Sequence, residues 1–209
     1  MEVTKTKEIV VLPLLLSITV SLLIINSINN QQVIAQDDIL GGPTTTESSV
    51  QSLGNASIVY ESPVYGIRTQ YPDGWEIIIQ STSNSSFSLR FNSPLENDTD
   101  SFRENVRIVI GSVSNNTALS NFTSATLTSY LELYPDLELI ELSSTNLTSS
   151  AIPAYKLVGS RTQAGSNFMQ IFALEEEKVY SIIYSSEKSR YSTYLPIIEE
   201  MINSFEVTQ

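Results

Sequence analysis

The stretch Tyr65–Ile77, YGIRTQYPDGWEI, decides the fold. It gathers the chain's only tryptophan, Trp75, together with Pro72 and two glycines, Gly66 and Gly74. Ile67, Thr69 and Tyr71 alternate with Arg68 and Gln70, the period-two rhythm of a strand with one buried face. Pro72-Asp73-Gly74 then supplies turn chemistry, because proline fixes φ and glycine accepts the positive φ a tight turn needs. Trp75 is expected to begin a return strand and to lie across the sheet as a core plug. Tyr71, Pro72, Gly74 and Trp75 are thus read as a structural hairpin that organises the start of a domain, not as ligand contacts.

The same rhythm continues outward. Ile67–Tyr71, Trp75–Gln80, Ser86–Phe91 and Val106–Val113 read as consecutive strands, and in the last of these Val106, Ile108 and Ile110 share one face while Arg107 and Val109 share the other. Leu137–Leu142, Ala154–Arg161, Phe168–Leu174 and Val179–Tyr184 form a second group, with hairpins marked by TQAGSN after Arg161 and by Glu175–Glu177. The triple glutamate is a solvated loop tip that discourages edge-to-edge aggregation. Two segments have helical period. In SATLTSYLELY the stripe is Leu127, Tyr130, Leu131 and Tyr134, with Thr123 or Ser124 as cap and Pro135 closing the end. In RYSTYLPIIEEMINSF it is Tyr191, Tyr194, Leu195, Ile198, Ile202 and Phe205, starting near Ser192 so that Pro196 stays close to the first turn. The expectation is an α+β fold, an antiparallel sheet of about six strands sandwiched by helices.

The glycine-led strand, Tyr71-Pro72, the turn and Trp75 resemble the opening of PsbP-like domains, the family of the extrinsic PsbP subunit of the photosystem oxygen-evolving complex. The resemblance continues in order through NVRIVIGSV, the helix around LTSYLELY, AIPAYKLVGSR, FMQIFALEEEKVYSIIY and a final helix ending in MINSF. It covers residues 58–208. It implies a PsbP-like α/β/α sandwich, a fold similar to that of the Ran-binding nuclear-import factor and of several bacterial envelope lipoproteins. Binding and scaffolding follow from the resemblance, with no shared catalytic triad. Metal or halide roles of the photosynthetic subunit do not carry over, since this chain has no histidine and no matching cluster.

An address precedes the domain. Lys5 and Lys7 stand before Ile9–Ile25, a run without a charge, and a polar spacer follows that ends in VIAQDD. Val33 and Ala35 are small enough for the two pockets that signal peptidase reads, so residues 1–35 are expected to be a signal peptide cleaved between Ala35 and Gln36. The other reading is an uncleaved anchor: the apolar run spans roughly 26 Å, slightly short of a ~30 Å hydrocarbon core, and its spacer is long for a signal peptide. Either way the lysines stay inside and the rest is exported. Residues 36–57 are Gly/Pro/Ser/Thr-rich and read as a flexible linker before a domain over 58–209. N-x-S/T sequons fall at Asn55, Asn84, Asn97, Asn115, Asn121 and Asn146, all beyond the apolar run, and mark candidate glycosylation sites on an extracellular or cell-surface glycoprotein. A merely well-solvated Asn/Ser/Thr surface is the plainer account of them.

Composition narrows the chemistry. The formal charge is −12, and Lys5 and Lys7 cancel Glu2 and Glu8, so the exported part carries all of it. Such a surface repels phosphate backbones, and nucleic acid is not an expected partner. With no cysteine and no histidine, disulfides, thiolate chemistry, Cys/His zinc sites and histidine-based triads are excluded. Glu96-Asn97-Asp98-Thr99-Asp100 with Glu104 offers hard oxygens at alternate positions, yet lacks the glycine and the spaced glutamate of a calcium loop, and no metal is assigned to it. No cofactor and no catalytic residue are assigned. The expectation is an exported, non-catalytic accessory domain that engages a protein or small ligand at the cell surface, touching the membrane only through residues 9–25 if these are retained. The alternatives are a carboxylate-dependent hydrolase of envelope polymers and a purely structural glycosylated surface protein.

Overall fold

Ten strands and two helices form within residues 57–83, 86–147 and 151–208, the parts of the chain that the computed structural model describes. The strands are β1 (Ser57–Ser62), β2 (Ile67–Pro72), β3 (Glu76–Ser83), β4 (Ser86–Asn92), β5 (Asn105–Ser112), β6 (Leu137–Leu147), β7 (Ile152–Arg161), β8 (Ser166–Glu175), β9 (Lys178–Glu187) and β10 (Glu206–Val207). Helix α1 (Leu119–Leu133) lies between β5 and β6, and α2 (Tyr191–Asn203) between β9 and β10. The expected N-terminal signal or anchor helix lies outside the described residues. Among those described, no helix is long and apolar enough to cross a membrane.

The architecture is α+β and antiparallel, as the alternation implied, but the main sheet has seven strands rather than six, in the order β3-β4-β5-β9-β8-β7-β6. Its central strands are buried on both faces, so neighbouring residues serve different cores. Tyr180, Ile182 and Tyr184 of β9 face Ile198, Met201 and Ile202 of α2, while Val179 and Ile183 face Phe122 and Tyr130 of α1. The small sheet β1-β2-β10 completes the cover on the α2 side.

The opening hairpin is corrected by the structure. The Pro72 turn forms, with the Trp75 N–H donating to the Pro72 carbonyl at 3.3 Å and Gly74 at φ +82°. The strands it joins do not pair. Both edges of β2 are already taken, by β1 and β10, so β3 passes to the main sheet and pairs with β4. Trp75 sits at this elbow between sheets, outside either strand, buried and edge-on to Tyr194 of α2 with ring centroids 6.3 Å apart. It is a core plug, as expected, but it joins two layers instead of spanning one.

Other differences have local causes. Helix α1 starts at Leu119, so Thr123 and Ser124 lie inside it, and the Thr123 hydroxyl donates to the Leu119 carbonyl at 2.7 Å rather than capping. The earlier start rotates the stripe: Phe122, Thr126 and Tyr130 face the sheet, and Leu131 is 49% exposed. Its C-terminal turn is fixed by Arg161, whose Nε donates to Asp136 Oδ1 at 2.8 Å with the guanidinium 3.7 Å from the Tyr134 ring centre. In α2, Pro196 falls beyond the first turn, where its ring removes one backbone hydrogen bond. The last residues clamp the first: Ser204 Oγ accepts the Gln70 N–H at 2.8 Å, and the Thr208 N–H donates to the Gly66 carbonyl at 2.8 Å.

Replacing Trp75 by alanine empties the elbow and is expected to cost about 3–5 kcal/mol, whereas Leu131→Ala should stay within about 0.5 kcal/mol of the parent. Urea denaturation of the two variants checks both values, and equal losses would show that the elbow is not a core position.

Candidate functional site

At one end of the main sheet, on the α2 side, small polar residues replace the apolar core. Ser160 of β7 and Asn167 of β8 are register partners, and Asn167 is in turn opposite Ser186 of β9. Glu104 stands one residue before the Asn105–Ser185 pair and is followed across the sheet by Ser93, whose N–H donates to the Glu104 carbonyl at 2.8 Å. Ser93, Glu104, Ser160 and Ser186 are all buried. Tyr191 and Tyr194 of α2 stand over this end, with Tyr191 stacked on Tyr184 at 5.1 Å and the Tyr184 hydroxyl donating to the Tyr191 carbonyl at 3.0 Å. Among the described residues, Ser160 Oγ and Asn167 Oδ1 are buried without a hydrogen-bond partner, a condition rare in folded proteins.

Glu104 is the electrostatic centre of this seam. Only 1% of it is exposed, and burial pushes its carboxyl up from 4.5 to about 7, helped by the charges of Asp100 and Glu187 and opposed by backbone hydrogen bonds. Ser93 Oγ approaches Glu104 Oε2 at 3.5 Å. Burial also raises Tyr194, whose hydroxyl donates to Glu96 Oε1 at 3.2 Å, and Arg190 closes the outer side as the ion-pair partner of Glu96. A carboxyl near neutrality is what acid–base chemistry needs. This one has no surface on which a substrate could rest. It is a proton-binding element of the fold.

The second feature is an open groove of about 580 Å³ between the start of α1 and the β6–β7 hairpin, with Leu119, Ser120, Thr145, Asn146 and Tyr155 in its walls. Among the described residues its lining carries no carboxylate, lysine or arginine. It offers hydroxyls, an amide and one phenol, which suits a polar ligand or a partner loop.

The structure places the sequence-derived residues as follows. Ala35 and Gln36 of the cleavage site, and the sequons at Asn55 and Asn84, lie outside the described residues. Asn97, Asn115, Asn121 and Asn146 are all exposed, in two loops, in α1 and in β6 respectively. Asn97 Oδ1 accepts both the Thr99 N–H at 2.9 Å and the Thr99 hydroxyl at 2.6 Å. Two of the loop's acids are engaged within the protein: Asp100 accepts the N–H groups of Glu96 and Phe102, and Glu96 serves Arg190 and Tyr194. Among the described residues no three acids converge on one point. Ser185-Ser186-Glu187-Lys188 has S-x-x-K spacing, but it ends a strand, where positions three apart point to opposite faces, and Ser185 is buried while Lys188 is exposed. Sequence reasoning missed Ser93, Ser160 and Asn167. Only an account of which strands pair could have found them.

Comparison with known proteins follows the fold. The family model described as PsbP matches residues 55–207. The solution structure of cyanobacterial PsbP (CyanoP) from Synechocystis sp. PCC 6803 is similar with a TM-score of 0.55 at 18% identity, over 77% of this chain and 98% of that one. The crystal structure of LpqN, involved in cell envelope biogenesis of Mycobacterium tuberculosis, has a TM-score of 0.55 at 12% identity, over 73% of this chain and 91% of its own. No curated protein matches the sequence.

The raised carboxyl of Glu104 has a thermodynamic consequence. Unfolded, it ionises near 4.5; folded, it keeps its proton until about 7, so between these values the native state binds the extra proton. Its stabilising contribution is complete below 4.5 and is lost as pH rises to about 7. Glu104→Gln should flatten this slope and gain on the order of 2 kcal/mol above neutral pH, once solvent screening at this end of the sheet is allowed for. Denaturant midpoints across the window test it, and a variant whose profile parallels the parent would assign the slope to another group.

Proposed function

Because the chain belongs to the PsbP family, we propose that it is an accessory domain exported to the cell surface, where it engages a protein or small ligand without turning a substrate over. The observation that carries this reading is the extent of the family match, which runs over residues 55–207 and takes in every described strand and both helices. The side chains agree with it. Among the described residues, the one carboxyl poised near neutrality, Glu104, is sealed beneath α2, and the open groove presents hydroxyl and amide groups rather than an acid–base set.

Export rests on the leader of the sequence and on the four exposed sequon asparagines, Asn97, Asn115, Asn121 and Asn146. An envelope location is also in keeping with LpqN, a protein of cell envelope biogenesis with the same fold. A carboxylate hydrolase of envelope polymers needs two acids roughly 5–10 Å apart across an open cleft, and among the described residues the lining of the groove holds no acid.

The full chain, produced in a cell that exports and glycosylates proteins, tests the reading. We expect protease-accessible protein on intact cells, a mature N-terminus at Gln36 by mass spectrometry, and no release of product from envelope polymers. Cytosolic protein that keeps Met1 overturns export. Retention of residues 1–35 on surface-exposed protein selects the anchored form, and measured turnover overturns the accessory role.

A further inference from the structure

Strand β6 ends the main sheet, and among the described residues no strand pairs with its outer edge. Such an edge offers unpaired backbone groups to any other extended chain, and proteins guard it with charge, bulges or cover. The first half of β6 is guarded. Glu138 and Glu141 stand on it, and the register shifts between Leu139 and Glu141, which breaks the regular ladder. The second half, from Leu142 to Leu147, carries no charge and pairs with β7 in unbroken register. Leu142 is exposed there. What this half does carry is the start of a sequon, Asn146-Leu147, completed by Thr148.

Of the four exposed sequon asparagines, Asn146 is the one that lines the open groove of about 580 Å³ between the start of α1 and the β6–β7 hairpin. Alternation puts Ser144 and Asn146 on one face of β6, and their cross-strand partners Tyr155 and Pro153 share it. That face turns toward α1, because Tyr155 and Leu119 both pack against the core beneath the helix. The Tyr155 ring is stacked with Phe172, centroids 6.5 Å apart, and Tyr155 is only half-buried. The groove therefore offers two rings, of Tyr155 and Pro153, beside the hydroxyl residues Ser120 and Ser144. A sugar ring has the matching surface: an apolar C–H face to lie on a phenol, and a rim of hydroxyls to meet hydroxyls. It carries no charge and asks for no counter-ion. The volume is within the ~300–1,000 Å³ usual for ligand sites.

We infer that Asn146 carries an N-linked glycan whose first sugars lie in this groove against Tyr155 and cover the uncharged half of the β6 edge. The occupant is tethered at the groove wall, so it needs no affinity for a free ligand to stay there. In the joining step a transferase brings Asn146 Nδ2 to the anomeric carbon of a lipid-linked oligosaccharide. The new C–N bond forms as the anomeric C–O bond to the lipid phosphate breaks; the phosphate leaves with the electron pair, and the amide gives one proton to a base of the transferase. A bulky, solvated group at this position blocks the approach of another strand. The inference rests on the exported reading and deepens it by naming a modification and its seat.

The test uses the full chain secreted from an N-glycosylating cell. Glycopeptide mass spectrometry is expected to find Asn146 modified. Thr148→Ala then removes the glycan without altering any residue of the groove lining. Nitration by tetranitromethane, followed residue by residue, should run at least about five-fold faster at Tyr155 in this variant than in the parent. Tyr60 of β1, half-buried on the other sheet, should react at the same rate in both. Should Thr148→Ala fail to be secreted, enzymatic removal of glycans from the folded parent gives the same comparison. A bare Asn146 overturns the inference, and so does a modified Asn146 with equal Tyr155 rates, which would mark a glycan standing free in solvent. If Asn146 is bare and added chitobiose protects Tyr155, the groove takes a free saccharide and the tethered seat is overturned. The accessory reading survives each of these results, since it falls only to measured turnover or to a cytosolic location.

Discussion

A sheet whose central strands are apolar on both faces must be covered twice, and this requirement governs the rest of the molecule. Strands β5, β8 and β9 have almost no exposed position along their middles. Burying both faces of such a strand removes far more apolar surface from water than a one-sided meander would. The chain meets the demand in two instalments: α1 is laid over one face directly after β5, and α2 over the other directly after β9. Because α2 alone is narrower than the sheet, the three-stranded sheet β1-β2-β10 closes the remaining width.

That second cover is built from the two ends of the domain, which explains why its joints are made with backbone and small side chains. Gly66 sits at φ +64°, and a Cβ there would lie 2.5 Å from the Thr208 carbonyl oxygen, so the close approach of the start of β2 and the segment after β10 depends on glycine. Ser204 receives the Gln70 N–H, and Phe205 drops beside Tyr180. The elbow at Trp75 is the matching joint on the other side, where the chain leaves the small sheet for the large one. Loss of either joint opens the same core, since Ile67, Trp75 and Phe205 belong to one contiguous cluster.

The alternation of Ile67, Thr69 and Tyr71, the triple stripe of Val106, Ile108 and Ile110, and the tyrosine-spaced pattern of α2 made the strands and helices readable, because each is a local consequence of one buried face. Pairing was not readable at Pro72. A Pro-Asp-Gly turn bends the backbone equally well for a hairpin or for a crossover, and what decides is whether β2 still has a free edge. The short strands β1 and β10 were missed for a related reason: half-exposed SIVYES and the two-residue Glu206–Val207 carry little periodicity, and they are strands only because β2 lies between them. The polar seam and the cross-strand pairing of Arg90 with Arg107 depend on register as well. Glu104 read as one oxygen among several on an acidic loop, and Arg107 as the polar alternate of a strand; Ser93, Asn167 and Arg90 enter only when distant segments are brought side by side.

The two faces of the sheet treat buried charge differently, and the difference follows from what each group can do with a proton. Glu104 escapes the cost of burial by staying protonated up to about 7, so the α2 face needs no counter-ion at that point. A guanidinium has no such escape. Even with Arg107 on the α1 face lowered to about 10, by burial and then by the charge of Arg90 opposite it on β4, this guanidinium keeps its charge throughout the physiological range.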